Sequence, residues 1–202
     1  MDRLCPLSLS TGGLLLAGGR SSRFGAEKAV APFGGRLMMD AVLARFRALA
    51  ACAVSARPNS ATAAHGQSLH LEILHDEPDA PAGPLAGIAA GLAWAKTANF
   101  KVLATAPCDA PLLPPDLFPV LLASIGNAPA AFAVTDAGEH PLCAVWRVEM
   151  ADYIAAEFVD GRHPPVRALL ADHRARRVHF KDVRAFANAN TRAALEALER
   201  AA

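Results

Sequence analysis

Short apolar runs alternate with helical patterns along most of the chain. The first apolar run, from Gly13 to Ala17, ends in a pair of glycines, and from Arg36 apolar side chains recur at helical spacing as far as Leu49. Alternation of this kind is typical of repeated βαβ units around a mostly parallel sheet. The sequence therefore predicts an α/β fold.

The predicted elements follow one another closely. Strands are predicted near 13–17, 52–56, 71–75, 101–106, 130–134 and 143–147. Helices are predicted near 36–49, 84–97, 114–124, 149–159, 164–172 and 191–200. Proline-rich stretches at 78–84 and 107–115 are spaced like strand-to-helix connections rather than hinges. We therefore expect residues 1–202 to form a single domain, a size that suits one hydrophobic core.

Composition and charge narrow the class of protein. The chain is 53% hydrophobic and has a nearly balanced charge, with 20 Lys+Arg against 19 Asp+Glu, and this combination excludes a disordered chain. The balanced charge also provides no general attraction to a nucleic-acid backbone. No apolar stretch reaches the roughly 18 residues of a membrane span, and the amino terminus lacks the pattern of a secretory signal. We expect a cytoplasmic protein with no nucleic-acid or membrane partner.

The cysteines and histidines are scattered. Cys5, Cys52, Cys108 and Cys143 show no C-x-x-C spacing and have no histidine at zinc-ligand spacing. We therefore expect buried free thiols in a reducing compartment rather than a metal site built from cysteine or histidine.

A glycine pair and a basic loop follow the first predicted strand. Gly18 and Gly19 allow backbone N–H groups to approach an anion at the carboxyl end of a strand, where open α/β sheets bind ligands. The polar side chains that follow are Arg20, Ser21, Ser22, Arg23 and Lys28. Together they predict a polyphosphate site, and the alternative is a solvated loop. The absence of G-x-x-x-x-G-K-[ST] and G-x-G-x-x-G disfavours a P-loop ATPase and a nicotinamide oxidoreductase.

A lone carboxylate, Asp109, follows the predicted strand at 101–106 and lies between Pro107 and Pro111. In this architecture that strand end faces the loop after the first strand. Asp109 is therefore a candidate ligand for Mg²⁺, which often takes one or two protein carboxylates together with water and substrate oxygens. The alternative is that Asp109 only caps the following helix or turn.

Four segments together resemble one known family. The loop Leu16-Ala17-Gly18-Gly19-x-Ser21-x-Arg23-x-Gly25-x-x-Lys28 is similar to the signature loop of the molybdenum cofactor guanylyltransferases, in the nucleotidyltransferase superfamily. Later segments that resemble the family are His75-Asp76 followed by Gly83-Pro84-Leu85-Ala86-Gly87, then Pro107-Cys108-Asp109-Ala110-Pro111, then Asn188-Ala189-Asn190-Thr191. The resemblance implies a three-layer Rossmann-like fold. Gly18 after Ala17 favours the guanylyl branch, because cytidylyltransferases usually carry Leu-Ala-Ala-Gly there.

The resemblance also implies an activity. Family members transfer GMP from GTP to the terminal phosphate of molybdopterin, with or without bound molybdenum, and release pyrophosphate in the presence of Mg²⁺. The attacking phosphate is mostly dianionic near neutral pH because its second pKa is about 6, so no general base has to activate it. The protein must instead position and neutralise two polyanions.

Roles for individual residues follow from the same resemblance. Nucleotide contact is implied for Leu16, Ala17, Gly18 and Gly19. Lys28 would meet the triphosphate charge, Arg23 would form part of the catalytic set of cations, and Asp109 would hold Mg²⁺. Asp76 would contact guanine or ribose, and Asn188 and Asn190 would lie near the metal and the pterin phosphate. An alternative for the asparagines is a turn in which Asn190 or Thr191 caps the last helix. His140-Pro141-Leu142 resembles a substrate-side segment, and Arg147, Arg162, His163 and Arg167 are candidates for holding the pterin phosphate or are solvated.

Three positions depart from the family pattern. Phe24 stands where Met is usual, and Glu27 stands where Asp is commoner. Ala56 precedes Arg57 where the family often has Asn, which removes a base-reading amide. Alternatives are therefore a molybdopterin cytidylyltransferase, another NTP-dependent nucleotidyltransferase acting on a phosphorylated small molecule, or a non-catalytic nucleotide-binding assembly protein. The lability of the cofactor suggests hand-over to molybdoenzymes or other cofactor-assembly proteins.

Overall fold

The computed structural model describes residues 10–18, 27–75, 83–159 and 162–200. Its strands are β1 (Thr11–Leu16), β2 (Pro32–Phe33), β3 (Arg36–Leu37), β4 (Ala51–Ser55), β5 (Glu72–Leu74), β6 (Val102–Pro107), β7 (Ala130–Thr135), β8 (Gly138–Arg147) and β9 (Arg176–His179). Its α-helices are α1 (Met38–Leu43), α2 (Ala61–Ser68), α3 (Pro84–Thr97), α4 (Leu117–Ser124), α5 (Met150–Val159), α6 (Val166–Asp172) and α7 (Arg192–Glu199). Short 3₁₀ helices cover Lys28–Val30, Ala44–Phe46 and Arg184–Phe186. None of the described helices is long and apolar enough to cross a membrane.

Seven of these strands form one sheet in the order β5–β4–β1–β6–β8–β7–β9. β1 pairs in parallel with β4 and β6, β4 with β5, and β7 with β9. β8 runs antiparallel to both of its neighbours, β6 and β7. The mostly parallel sheet predicted from the sequence is confirmed, and all strands of this sheet except β8 end at the same edge.

β1 lies inside the sheet, and all six of its residues are buried. Leu14 and Leu16 pack in a core that includes Ile88 of α3, whereas Leu15 packs in the opposite core with Phe46. Successive side chains of a strand point to opposite faces, so helices must cover both faces of the sheet. The expected helix–sheet–helix arrangement is confirmed.

Two glycines of β1 allow aromatic rings to touch the strand backbone. A Cβ atom at Gly13 would lie 2.5 Å from Cδ1 of Phe46, and one at Gly12 would lie 2.7 Å from Cδ2 of Phe100. A close-packed interior has no space for an atom at either distance. The rings of these two phenylalanines therefore occupy the volume that a side chain would need.

The helix predicted at 36–49 is shorter in the structure. Gly34 and Gly35 have φ angles of 55° and 76° and connect β2 to β3, which is the geometry of a two-residue hairpin turn. α1 begins after this hairpin, where the Asp40 carboxylate accepts a hydrogen bond from the Leu37 N–H at 3.3 Å. The apolar periodicity correctly identifies the buried face but not the hairpin that precedes it.

α2 and β9 have no counterpart among the elements predicted from the sequence. α2 consists of small and polar residues and begins at the cap Ser60, whose hydroxyl accepts a hydrogen bond from the Ala63 N–H at 3.1 Å. β9 is an edge strand in which only Val178 is buried. Exposed charges suit a sheet edge because they discourage pairing with another chain, but they leave no apolar pattern to recognise.

Candidate active site

The carboxyl ends of β1, β4 and β6 meet at one edge of the sheet. Leu16, the last residue of β1, is in register with Ser55 of β4 and with the last residue of β6. The Ala17 N–H donates to the Ser55 carbonyl at 2.9 Å, and the Cys108 N–H donates to the Leu16 carbonyl at 3.0 Å. The segments that leave β1 and β6 are thus held side by side, as the sequence predicts.

Lys28 contacts two of the other predicted site residues at this edge. Its Nζ lies 2.6 Å from Oδ2 of Asp109 and donates to the side-chain carbonyl of Asn190 at 3.3 Å. The Lys28 and Asp109 side chains are 18% and 14% exposed, so the pair is largely shielded from water, which strengthens the attraction. The structure therefore brings together three residues from three separate sequence motifs.

Asp109 has one carboxylate oxygen that makes no hydrogen bond within the described part of the chain. This oxygen, Oδ1, is buried, whereas Oδ2 contacts Lys28. A buried carboxylate oxygen is costly unless a donor or a cation reaches it. Carboxylate oxygens are the ligands that Mg²⁺ prefers, so Asp109 fits a magnesium site. The helix-capping alternative does not hold, because α4 begins at Leu117 with Asp116 in the cap position.

A backbone hydrogen bond brings the asparagine segment to Asp109. The Ala189 N–H donates to the Asp109 carbonyl at 2.8 Å. Thr191 caps α7, since its hydroxyl accepts a hydrogen bond from the Ala194 N–H at 3.1 Å. The Asn190 side chain instead contacts Lys28, and Asn188 is exposed on the same segment.

Glu27 connects the residue before Lys28 to the start of α2. Its carboxylate accepts hydrogen bonds from the Ala61 N–H at 3.1 Å, the Thr62 N–H at 2.8 Å and the Thr62 hydroxyl at 2.7 Å. Desolvation by burial acts in the opposite direction, but these hydrogen bonds, together with Arg57, lower the pKa of Glu27. The sequence pattern does not predict this role of Glu27, because its partners lie on a helix that has no apolar stripe.

The remaining predicted nucleotide contacts divide into two groups. Leu16, Ala17 and Gly18 lie at or just beyond the carboxyl end of β1, beside β4. Gly19, Arg23 and Asp76 lie outside the described residues, so their assigned roles stay predictions.

The described cysteines are free thiols. Burial raises the pKa of Cys52 to about 12 and that of Cys108 to about 12, and for Cys108 the charge of Asp109 acts in the same direction. Burial also raises the pKa of Cys143. These thiols stay neutral near pH 7 and are not nucleophiles, because a thiol reacts as the thiolate. The expected free thiols are confirmed for these three residues, and Cys5 lies outside the described part of the chain.

A cleft of about 400 Å³ opens between the start of α3 and the start of α6. Its lining includes Pro84, Leu85, Pro141, Leu142, His163 and Arg167. The Thr105 hydroxyl donates to the Leu142 carbonyl at 2.9 Å, which ties one wall of the cleft to the end of β6. The cleft therefore lies at the edge of the sheet that also carries Asp109.

Arg147 lies at the other end of the sheet. It is in register with Val102, the first residue of β6, and its guanidinium donates to the carbonyls of Gly126 and Ala128. Of the two alternatives for Arg147, contact with the pterin phosphate does not fit this position, because β8 is antiparallel to β6 and carries its last residue away from Asp109.

The other candidates for the pterin phosphate lie in different surroundings. Arg162 forms an ion pair with Glu157, with hydrogen bonds of 2.7 and 3.2 Å. His163 and Arg167 line the cleft. His140 packs its ring on Phe186 at 4.5 Å, and burial lowers its pKa, which favours the neutral imidazole.

Comparison with known proteins tests the family resemblance. A family model described as the MobA-like NTP transferase domain matches residues 13–184. The chain belongs to the MobA-like NTP transferase family. The matched range of this MobA-like chain runs from β1 to the last 3₁₀ helix and includes both Lys28 and Asp109.

Individual MobA-like relatives cover almost the whole chain. This chain is 42% identical over 183 residues to the molybdenum cofactor guanylyltransferase of Cereibacter sphaeroides (strain ATCC 17029 / ATH 2.4.9), and the match covers 88% of this chain and 90% of that protein. It is 38% identical over 203 residues to the protein of the same name from Burkholderia ambifaria (strain MC40-6), covering 96% and 97%. The crystal structure of molybdopterin-guanine dinucleotide biosynthesis protein A from Archaeoglobus fulgidus has the same fold, with a TM-score of 0.73, 20% identity and coverage of 94% and 97%.

Proposed function

We propose that this protein transfers GMP from GTP to the terminal phosphate of molybdopterin and releases pyrophosphate, forming molybdopterin guanine dinucleotide. The observation that carries the proposal is the contact of Lys28 with both Asp109 and Asn190 in a chain of the MobA-like family. Relatives named molybdenum cofactor guanylyltransferase support the choice of donor and acceptor. The proposal places this activity in a single domain, residues 1–202, in the cytoplasm, with the product passing to molybdoenzymes or other cofactor-assembly proteins.

The reaction needs positioned charge more than an activated nucleophile. An oxygen of the molybdopterin phosphate forms a bond to the α-phosphorus of GTP, while the bond from that phosphorus to the bridging oxygen of the β-phosphate breaks. Pyrophosphate leaves with the electron pair of that bond. The attacking phosphate is mostly dianionic at neutral pH, because its second pKa is about 6. The protein therefore has no proton to remove from the nucleophile.

Lys28 supplies positive charge where the triphosphate would lie. Its ammonium is held by two oxygen acceptors, on Asp109 and Asn190, which restricts the positions that it can take. The Asn190 carbonyl faces Lys28, and an amide NH₂ group can donate to a phosphate oxygen. We assign Arg23 as a further cation for the triphosphate, and the backbone of Ala17 and Gly18 as donors to the nucleotide.

Asp109 would hold Mg²⁺ through its buried carboxylate, in which Oδ1 has no hydrogen-bond partner in the described part of the chain. When bound, Mg²⁺ acts as a Lewis acid that neutralises charge on phosphate oxygens. Asn188 and Asn190 lie on the segment that donates to the Asp109 carbonyl, so their amides are candidates to contact the acceptor phosphate.

The cleft beside α6 suits the acceptor. Apolar walls formed by Pro84, Leu85 and Leu142 can pack on the faces of a flat heterocycle. His163 and Arg167 supply positive or hydrogen-bonding groups at one side, and a guanidinium can contact two phosphate oxygens at once. We propose that molybdopterin binds in this cleft with its phosphate directed to the sheet edge.

Ala56 leaves recognition of the base to other residues. It is buried, its N–H donates to the Leu74 carbonyl at 3.0 Å, and its carbonyl accepts from Nδ1 of His75 at 2.8 Å. Its methyl group has no hydrogen-bonding capacity toward a base. We assign this role to Asp76, whose carboxylate can accept from the guanine N1–H and amino group or from ribose hydroxyls.

The test is pyrophosphate release with molybdopterin and Mg²⁺, with GTP, CTP, ATP and UTP measured in parallel. We expect pyrophosphate release with GTP. In Asp109→Ala this release should be lost while the circular dichroism spectrum stays unchanged. Asp116→Ala is the matched control, because Asp116 is an exposed carboxylate in the same connection between β6 and α4. Full activity of Asp109→Ala would contradict the assignment of Asp109.

The choice of donor separates the alternatives. Release with CTP instead of GTP would identify a cytidylyltransferase. Release only when molybdopterin is replaced by another phosphorylated small molecule would identify a different acceptor. Nucleotide binding without release from any donor would indicate a non-catalytic assembly protein.

A further inference from the structure

We propose that Glu27 is a positioning residue for Lys28. Its hydrogen bonds to Ala61 and Thr62 determine where the Lys28 ammonium lies relative to Asp109. The inference deepens the proposed function, and it rests on the role assigned there to Lys28.

Ala17 and Glu27, which flank residues 18–26 in the sequence, both form hydrogen bonds with the segment that runs from the end of β4 to the start of α2. On the amino-terminal side, the Ala17 N–H donates to the carbonyl of Ser55 at the end of β4. On the carboxyl-terminal side, Glu27 accepts hydrogen bonds from Ala61 and Thr62 at the start of α2. The connection from β4 to α2 therefore sets the distance between the end of β1 and Lys28.

Glu27 also begins the short helix that carries Lys28. The Val30 N–H donates to the Glu27 carbonyl at 3.3 Å, and the Ala31 N–H donates to the Lys28 carbonyl at 3.1 Å. A lysine side chain is long and flexible, so its ammonium reaches one particular oxygen reliably only when its own backbone is held in place. The side chain and the carbonyl of Glu27 together hold the Lys28 backbone against α2.

The charge of Glu27 is satisfied by its own partners. Both carboxylate oxygens accept hydrogen bonds at the amino terminus of α2, where a helix favours negative charge, and Arg57 lies 3.7 Å away. Thr62 is 3% exposed, and its hydroxyl donates to Glu27 at 2.7 Å. The carboxylate can therefore lie next to Lys28 without forming an ion pair with it.

Asp40 offers a matched control. Its carboxylate also caps a helix, accepting from the Leu37 N–H at 3.3 Å, and it also contacts α2, through Nε2 of His65 at 2.8 Å. Exposure is similar for the Asp40 and Glu27 side chains, at 29% and 24%. A purely structural role of Glu27 predicts that Glu27→Gln and Asp40→Asn have equivalent effects.

The kinetic experiment measures kcat and KM for GTP in wild type, Glu27→Gln, Thr62→Val, the double variant and Asp40→Asn. We expect kcat/KM for GTP to fall about tenfold or more in Glu27→Gln, the usual effect of removing a group that orients a functional residue. Thr62→Val should have a smaller effect in the same direction, and the double variant should equal Glu27→Gln because the Thr62 hydroxyl would act on Lys28 only through Glu27. Asp40→Asn should lower the melting temperature but leave kcat/KM within about twofold of wild type. Equal kcat/KM in Glu27→Gln and Asp40→Asn would overturn the proposal.

Hydrogen exchange tests the same inference without turnover. In Glu27→Gln the amides of Val30 and Ala31 should exchange faster than in wild type, whereas in Asp40→Asn they should not. Unchanged exchange in Glu27→Gln would overturn the positioning role even if wild type uses GTP. If wild type releases no pyrophosphate from any donor, the proposed function fails, and the exchange comparison still decides whether Glu27 holds the Lys28 segment.

Discussion

Nζ of Lys28 lies 2.6 Å from Oδ2 of Asp109, although the two residues are 81 positions apart in the sequence. β1 and β6 are parallel neighbours, so the segments that leave their carboxyl ends emerge side by side. The contact therefore joins Lys28, which follows the glycine-rich segment after β1 in the sequence, to Asp109, which lies between Pro107 and Pro111. Opposite charges at one edge suit the proposed function, in which the site would receive both anionic phosphates and Mg²⁺.

Removing the Lys28 charge should disable nucleotide use. We expect Lys28→Met to lower kcat/KM for GTP by about 100-fold or more, because a preorganised charge at a phosphoryl-transfer site typically contributes several kcal/mol. Lys28→Arg should recover part of this loss. The control is Lys96→Met, because Lys96 forms an exposed ion pair with Asp152 at 3.0 Å, and exposed pairs contribute little. Equal activities of Lys28→Met and Lys96→Met would show that Lys28 does not serve the triphosphate.

The contribution of Glu27 to stability should depend on pH. Desolvation by burial opposes the shift, but hydrogen bonds from Thr62 and Ala61 prevail, so the pKa of Glu27 lies below its ordinary value of 4.5. A carboxyl group with a lowered pKa stabilises the folded protein above its unfolded pKa, and this stabilisation is lost as the pH falls through the folded pKa. The difference in melting temperature between wild type and Glu27→Gln should therefore be constant near neutral pH and shrink below about pH 4.5. A difference that grew on acidification would contradict the sign of the shift.

Gly13→Ala should destabilise the fold. The added Cβ would lie 2.5 Å from the Phe46 ring and 3.0 Å from Sγ of Cys52, so the core would have to shift. Overpacking of this kind typically costs about 1–3 kcal/mol, which chemical denaturation can measure. Gly34→Asn is the control, because no atom lies within 4 Å of an added Cβ there and asparagine tolerates the φ of 55°. A smaller loss for Gly13→Ala than for Gly34→Asn would contradict the packing described for β1.

The described cysteines should resist alkylation in the folded protein. Burial raises the pKa of Cys52 and Cys108 to about 12, and the pKa of Cys143 is raised by the same cause. Because iodoacetamide reacts with the thiolate, peptide mapping after treatment at about pH 8 should find these residues unmodified. In urea all three should react. Rapid modification of Cys108 in the native protein would show that the segment before Asp109 opens readily.

Sequence patterns predict helices and strands well where one face of the element, or the whole element, is buried. The helix predicted at 84–97 has the same bounds in the structure, because Pro84 suits the first helical turn and apolar residues run through the whole segment. The run from Gly13 predicts β1 because all of its residues are buried. α2 is not predicted, because its stability comes from Ser60 and Glu27 at its start rather than from an apolar stripe.

The amino-acid sequence indicates which side chains are candidates for the proposed chemistry and which strands they follow. Glycines, Lys28 and Asp109 follow apolar strands, and parallel strands end at a common edge, so their proximity is predictable from local patterns. Packing between distant segments decides the contacts themselves. Asp109 bonds Lys28, Thr191 rather than Asn190 caps α7, and Arg147 lies at the far end of the sheet. Local periodicity specifies which face of an element is buried, whereas distances between remote segments depend on strand order and direction, which periodicity does not encode.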